Sequence, residues 1–187
     1  MVTPSTVSGV MTRPVMTTHP DTRLEEAARI LRQFHISGLP VVDEHQRVVG
    51  VISEKDIARD LQLSAGVASP RGILDLLLES APPQGEGILD VCRNRLRNGR
   101  VQDVMTRPAI TLRGDAPISD VARLMRERSI NRVPVVDAEG NLIGIVTRED
   151  LLAALGVRPH HKPRTRRPAP SAARGENRSP PDPFLDA

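Results

Sequence analysis

Aromatic side chains are almost missing from this sequence: it has two phenylalanines, no tryptophan and no tyrosine in 187 residues. The core must therefore be aliphatic. Any ligand ring has to be held by aliphatic side chains or backbone, and the chain lacks the aromatic platform on which single-stranded nucleic acid stacks. Cysteine is nearly absent as well. Cys92 alone excludes an internal disulfide and a cysteine-built zinc site, fits a reducing compartment, and reads as a small packed hydrophobe. No apolar run approaches the roughly 18–20 residues of a membrane span, and the opening MVTPSTVSGVMTRP has no signal-peptide stretch. We read the chain as cytoplasmic, with no membrane partner.

Positive charge is in excess by three, but it is not spread evenly. From Arg158 onward there are seven Lys or Arg against three Asp or Glu, whereas the rest of the chain has 19 against 20. The basicity belongs to the tail, whose seven prolines after Gly156 alternate with Arg, Ser and Ala. Such a composition buries too little to order itself, so residues 157–187 are expected to be disordered. Nucleic-acid binding would rest on that tail alone and would be weak and salt-sensitive. His160 and His161 lie there too, without a carboxylate or cysteine at ligand spacing, so no metal site is expected.

The sequence does contain a duplication. VMTRP at Val10–Pro14 returns at Val104–Pro108, and PVVD at Pro40–Asp43 returns at Pro134–Asp137, both at an offset of 94. The alignment runs without a gap from Val10 to Ile57, pairs Gly50 with Gly144 and Asp56 with Asp150, and keeps more than a third of its 48 positions identical. Within each copy the periodicity predicts the same order of elements: strand, helix, strand, strand, helix.

In the first copy an extended stretch (Val15–Thr18) precedes a helix with Leu24, Ala27, Leu31 and Phe34 on one face. Thr22 and Glu25 have the spacing of a capping box for that helix. LPVVD and VVGVIS then form a hairpin around Glu44–Arg47, and a helix carrying Ile57 and Leu61 begins near Ser53. The second copy sets Ile118, Val121, Ala122 and Met125 on its first helix and Leu151, Leu152 and Leu155 on its last, with the hairpin turn at Ala138–Asn141. One copy of about 50 residues buries too little apolar surface to stand alone, so the two are expected to pack sheet against sheet. Between them, residues 62–100 read as a helical connector in which Ile88, Leu89, Cys92 and Leu96 have helical spacing.

The strings GVISEKD (Gly50–Asp56) and GIVTRED (Gly144–Asp150) each set a hydroxyl and a carboxylate three residues apart at a strand-to-helix junction. One reading is structural: Ser53 or Thr147 caps the helix and Asp56 or Asp150 reaches back. The other is chemical: a carboxylate grips the paired hydroxyls of a ribose while the helix N-terminus faces an anion. Both can hold together. No nucleophile with an activating base and no paired acids stand elsewhere, and neither serine nor threonine of these motifs has a histidine or lysine to activate it, so catalysis is not expected.

The duplicated order LPVVD, polar turn, V-h-G-h-[ST]-x-x-D resembles the CBS (cystathionine β-synthase) domain family, whose tandem pair is called a Bateman module. The resemblance covers residues 7–61 and 101–156. It implies an α+β fold of two β-α-β-β-α repeats packed sheet to sheet, with the connector at 62–100 and the tail at 157–187. It also implies two pseudo-symmetric ligand sites in the cleft between the repeats, for AMP, ADP or ATP, with NAD and S-adenosylmethionine ranked after them and no cofactor required. By that resemblance Thr147 and Asp150 serve one site and Ser53 and Asp56 the other, with Leu39, Pro40, Val133 and Pro134 near the base. Arg132 stands where the first repeat has Gly38, and some nucleotide-binding relatives turn an arginine there toward phosphate. The second motif therefore reads as the stronger phosphate site, while Gly38 allows close approach. Lys55, Arg148 and His35 are weaker phosphate candidates. The family also implies a homodimer that regulates a separate, unidentified protein. Some members act as interaction scaffolds with no ligand, and the VMTRP segments and the amphipathic helix faces would then supply dimer surface.

Overall fold

A computed structural model describes residues 6–65, 87–154 and 156. The first repeat opens with α1 (Leu24–Gln33), whose Leu24, Ala27, Ala28 and Leu31 recur at helical spacing and are buried. The helix is closed by His35 in the left-handed region (φ 49°), which lets the Ile36 N–H return to the Leu31 carbonyl at 2.9 Å while Ile36 packs on the core. The expected Thr22–Glu25 capping box does not form. The Thr22 hydroxyl accepts the His19 N–H at 3.2 Å, Glu25 pairs with Arg29, and Arg23 takes the cap position without a side-chain bond. The first free N–H of the helix, that of Leu24, is satisfied instead by the Gly99 carbonyl at 2.9 Å.

Strands β1 (Gly38–Val42) and β2 (Val48–Ser53) form the expected antiparallel hairpin, with Gly38 opposite Ser53 and a bulge after Val41. Asp43 organises the turn by accepting the N–H groups of His45 and Arg47, both at 2.9 Å. The extended stretch ahead of α1 pairs only at Thr18, which bridges Val41 in parallel. Helix α2 (Glu54–Ala65) follows, and its Ile57 and Leu61 complete an aliphatic core with Leu24, Leu31, Leu39 and Ile52.

Helix α3 (Ile88–Asn98) packs Cys92 and Leu96 onto that same core, and Arg95 locks it to α2 through two bonds to Asp60 at 2.7 and 2.9 Å. Burial pushes the Cys92 thiol up, as suits a packed hydrophobe. The other apolar patch of the connector, GILDLLLES, lies outside the described residues, as does the tail at 157–187. Helix α4 (Val101–Val104) leads into the second repeat.

That repeat has β3 (Leu112–Arg113), α5 (Ile118–Glu127), β4 (Arg132–Val136), β5 (Leu142–Thr147) and α6 (Arg148–Ala154). β3 runs parallel to β4, and β4 antiparallel to β5 in the same register and with the same bulge as the first hairpin. At the turn, bonds from Asn141 and neighbouring N–H groups hold the Asp137 carboxyl below its usual range. Val121 and Met125 are buried and Ile118 half-buried, but Ala122, expected on the core face, is exposed. Its counterpart Ala28 is buried where α3 packs against α1, and the described residues of the second repeat include no equivalent helix. Leu151 joins the second core; Leu155 is outside the described residues.

The two repeats are woven together. The 3-10 turn Val7–Gly9 sends its N–H groups to the second repeat, Val7 to Ala116 and Ser8 to Gly114, each at 2.9 Å, and Val7 is fully buried in the second core. Thr12 pairs with Ile145 of β5 in both directions (2.8 and 3.3 Å). The reverse exchange is made by Thr106, which pairs with Val51 of β2 (2.9 and 3.0 Å), and by Val101, which is buried in the first core. Each crossing segment lays a methionine on a strand glycine: a Cβ on Gly144 would lie 2.2 Å from the Met11 sulfur, and one on Gly50 would lie 2.7 Å from the Met105 sulfur. The hairpin turns also touch, with the Leu142 N–H reaching the Gln46 carbonyl at 3.1 Å. The result is the mixed α+β arrangement expected from the repeats, with two sheets and two aliphatic cores.

Because Val7 belongs to the second core, Val7→Ala is expected to cost about 1–3 kcal/mol in urea unfolding. Hydrogen exchange should accelerate among the amides of residues 112–154 and not among those of 24–61. The opposite distribution would contradict the exchange.

Candidate functional site

The two strand-to-helix junctions are built alike. At the first, one Asp56 oxygen (Oδ2) accepts both the Ser53 N–H at 2.8 Å and the Ser53 hydroxyl at 2.5 Å, while Ser53 Oγ accepts the Asp56 N–H at 3.3 Å. At the second, Asp150 Oδ2 accepts the Thr147 N–H and hydroxyl, both at 2.7 Å, and Thr147 Oγ1 accepts the Asp150 N–H at 3.3 Å. These are reciprocal capping boxes, so the structural reading of the motif holds in both repeats.

The capping uses only half of each carboxylate. The other oxygen faces the crossing segment: Asp150 Oδ1 accepts the Thr12 hydroxyl at 3.3 Å, and Asp56 Oδ1 accepts the Thr106 hydroxyl at 3.4 Å. Those bonds are long for O–H···O⁻, where about 2.5–2.7 Å marks a strong one. Each Oδ1 therefore keeps acceptor capacity for a ligand hydroxyl, with a threonine hydroxyl alongside. All four of Ser53, Asp56, Thr147 and Asp150 are half-buried, so none is sealed from a ligand.

Arg132 and Gly38 are brought together rather than left in separate sites. The Arg132 guanidinium crosses to the first repeat, where Nη1 donates to the Ser37 carbonyl and Nη2 to the Ser37 hydroxyl, each at 2.5 Å. It lies over Gly38 so closely that a Cβ there would be 1.4 Å from Nη1. Burial lowers the Arg132 pKa, and the charges of Asp56 and Glu54 offset part of that effect. The guanidinium thus stands in the field of the first motif, not of the Thr147–Asp150 motif in its own repeat. Its hydrogen-bond partners in the structure are neutral oxygens.

Leu39 and Val133 are fully buried, one in each aliphatic core, and Pro40 and Pro134 are buried beside them. The side chains of Leu39 and Val133 serve the cores of their own repeats, which leaves the backbone as what these two positions offer a base. Lys55, Arg148 and His35 are exposed, His35 at the left-handed end of α1. His160 and His161 lie outside the described residues. Among the described residues there is no cluster of His, Cys, Asp and Glu fit to hold a metal, and no helix is long and apolar enough to cross a membrane.

Thr12, Thr106 and Ser37 were not reached from the sequence. The signal was present for the threonines: VMTRP is the longest string that recurs unchanged. Val10 and Met11 pack against the second core and Val104 and Met105 against the first, so burial accounts for part of that string and the threonine bonds for another. What periodicity cannot convey is that each copy of the string completes the other repeat.

The CBS domain family model matches residues 7–63 and 101–157. An uncharacterized protein of Methanocaldococcus jannaschii is 40% identical over 154 residues, a match that covers 80% of this chain and 90% of that protein. Among solved structures, the CBS domain pair of protein MJ0100, in complex with 5′-methylthioadenosine and S-adenosyl-L-methionine, is 31% identical with a TM-score of 0.60 and covers 82% of this chain and 98% of its own. CBSX2 in complex with AMP is 29% identical with a TM-score of 0.60 over the same shares. With a duplicated fold, a doubled motif and a family match on both halves, the chain belongs to the CBS domain family as a tandem pair.

Proposed function

We propose that this protein is a regulatory sensor that binds an adenine nucleotide of the AMP, ADP or ATP class in the cleft between its repeats. The observation that carries the reading is the divided use of the two aspartates. Oδ2 of each is consumed by the helix cap, which fixes the carboxylate, and Oδ1 is held only by a long bond from a threonine of the other repeat. A ribose supplies two adjacent hydroxyls suited to such an acceptor. Family relatives solved with AMP and with adenosyl ligands support the same ligand class.

Because each site is completed by a crossing segment, a ligand there touches both repeats and favours the inter-repeat angle that suits it. It shifts that angle only through different affinities for the two arrangements. In a homodimer the change would alter the shape read by a separate protein. Exposed Leu63, Ile88 and Val91 on α2 and α3 favour a second reading, an interaction scaffold on which another chain docks.

Isothermal titration with AMP, ADP, ATP, NAD and S-adenosylmethionine tests the proposal. Saturable binding of an adenine mononucleotide is expected, weakened on the order of 10- to 100-fold by Asp150→Ala, the scale of about 1.5–3 kcal/mol of charge-assisted hydrogen bonding. Asp56→Ala should weaken it less. No binding to any of the five would favour the scaffold.

Deleting residues 158–187 should abolish any binding to polynucleotides and leave nucleotide affinity intact. Loss of nucleotide affinity on truncation would overturn this division between the two repeats and the tail.

A further inference from the structure

Positions 38 and 132 are equivalent in the two repeats, yet one is glycine and the other arginine, and the arginine fills the space that the glycine leaves. Ser37 and Asn131 are equivalent in the same way. The Ser37 carbonyl already accepts the Glu54 N–H at 3.3 Å, as the Asn131 carbonyl accepts the Arg148 N–H at 3.0 Å. Only Ser37 receives a guanidinium in addition, because Gly38 has no side chain with which to reach Asn131. The pair of sites is therefore asymmetric: a cation is clamped on Ser37 in the field of Asp56, and among the described residues no guanidinium is held in the same way at Asn131.

We propose that Arg132 is an inter-repeat latch that closes the Asp56 site alone and that an anionic ligand opens. The inference rests on the nucleotide reading above for the identity of that ligand. Its chemistry is that of a half-buried cation bound to a carbonyl and a hydroxyl, both neutral. A phosphate offers the same fork geometry with charge assistance, which makes such bonds roughly twice as strong. An entering phosphate thus draws the guanidinium off Ser37 and loosens the tie between the repeats. A ligand at Asp150 meets no such contact. The two sites would fill in order, Asp150 first and Asp56 only with release of the latch.

Two variants separate the latch from a merely structural contact. Arg132→Ala removes the guanidinium, whereas Gly38→Ala evicts it but keeps the charge, at the added cost of a Cβ 2.9 Å from the Ile52 carbonyl. In the ligand-free protein the two substitutions and their combination form a thermal-unfolding cycle. The double variant is expected to melt close to Gly38→Ala alone, because the guanidinium is already displaced there, and additive losses would overturn the latch.

On protein carrying Asp150→Ala, which leaves the Asp56 site, titration with AMP and with adenosine supplies the second readout. Gly38→Ala should strengthen AMP binding by about 3- to 10-fold, because the site no longer has to be opened. Arg132→Ala should erase the preference for AMP over adenosine. An unchanged AMP affinity in Gly38→Ala, or a preference that survives Arg132→Ala, would overturn the proposal. If the unmutated protein binds no AMP while the unfolding cycle stays non-additive, the nucleotide reading fails and the latch stands.

Discussion

The pairing of each repeat's opening segment with the other repeat's hairpin is the constraint on which the rest of the structure depends. Thr12 adds to β5 and Thr106 to β2, and each brings a methionine onto a strand glycine and a threonine hydroxyl onto an aspartate. A single repeat of this size is marginal in the apolar surface it can bury by itself. Exchange solves that problem, since Val7 is buried in the second core and Val101 in the first. It also means that neither carboxylate has its full set of partners within its own repeat. Stability and site geometry are thus set by the same crossing strands.

Much of this was legible because the sequence repeats itself. The period of 94 exposed two copies of one unit, and within each the helix and hairpin patterns are strong: α1 buries Leu24, Ala27 and Leu31, and PVVD and its partner run form the strands expected. The Ser53–Asp56 and Thr147–Asp150 boxes were also readable, because capping is local and leaves a three-residue signature. What failed was what depends on distant chain. Thr22 has capping spacing, yet the N-terminus of α1 is satisfied by Gly99, far along the sequence. Ala122 fits the apolar face on a helical wheel but is exposed where the second repeat's described residues hold no counterpart of α3. Leu39 and Val133, apolar residues near the motifs, have their side chains in the cores.

Arg132 shows the same limit at the site. Counting from its own motif placed it with Thr147 and Asp150, but a long side chain at a strand start reaches across the pseudo-dyad to Ser37. Gly38 and Arg132 are two halves of one packing solution, which one-dimensional alignment presents as an unrelated difference between the repeats. The duplication supplied a symmetric scaffold, and the exchange of glycine for arginine is one of the differences that give its two motifs unlike surroundings.

The most direct test of the central claim, that each aspartate offers its outer oxygen in a site completed by the other repeat, is a crystal structure of the protein with AMP. The account predicts ribose hydroxyls on Oδ1 of Asp150, with the Thr12 hydroxyl beside them and the Thr147 cap intact. AMP bound away from both Asp56 and Asp150, or a ribose that displaces the cap and leaves Thr12 uninvolved, would contradict it.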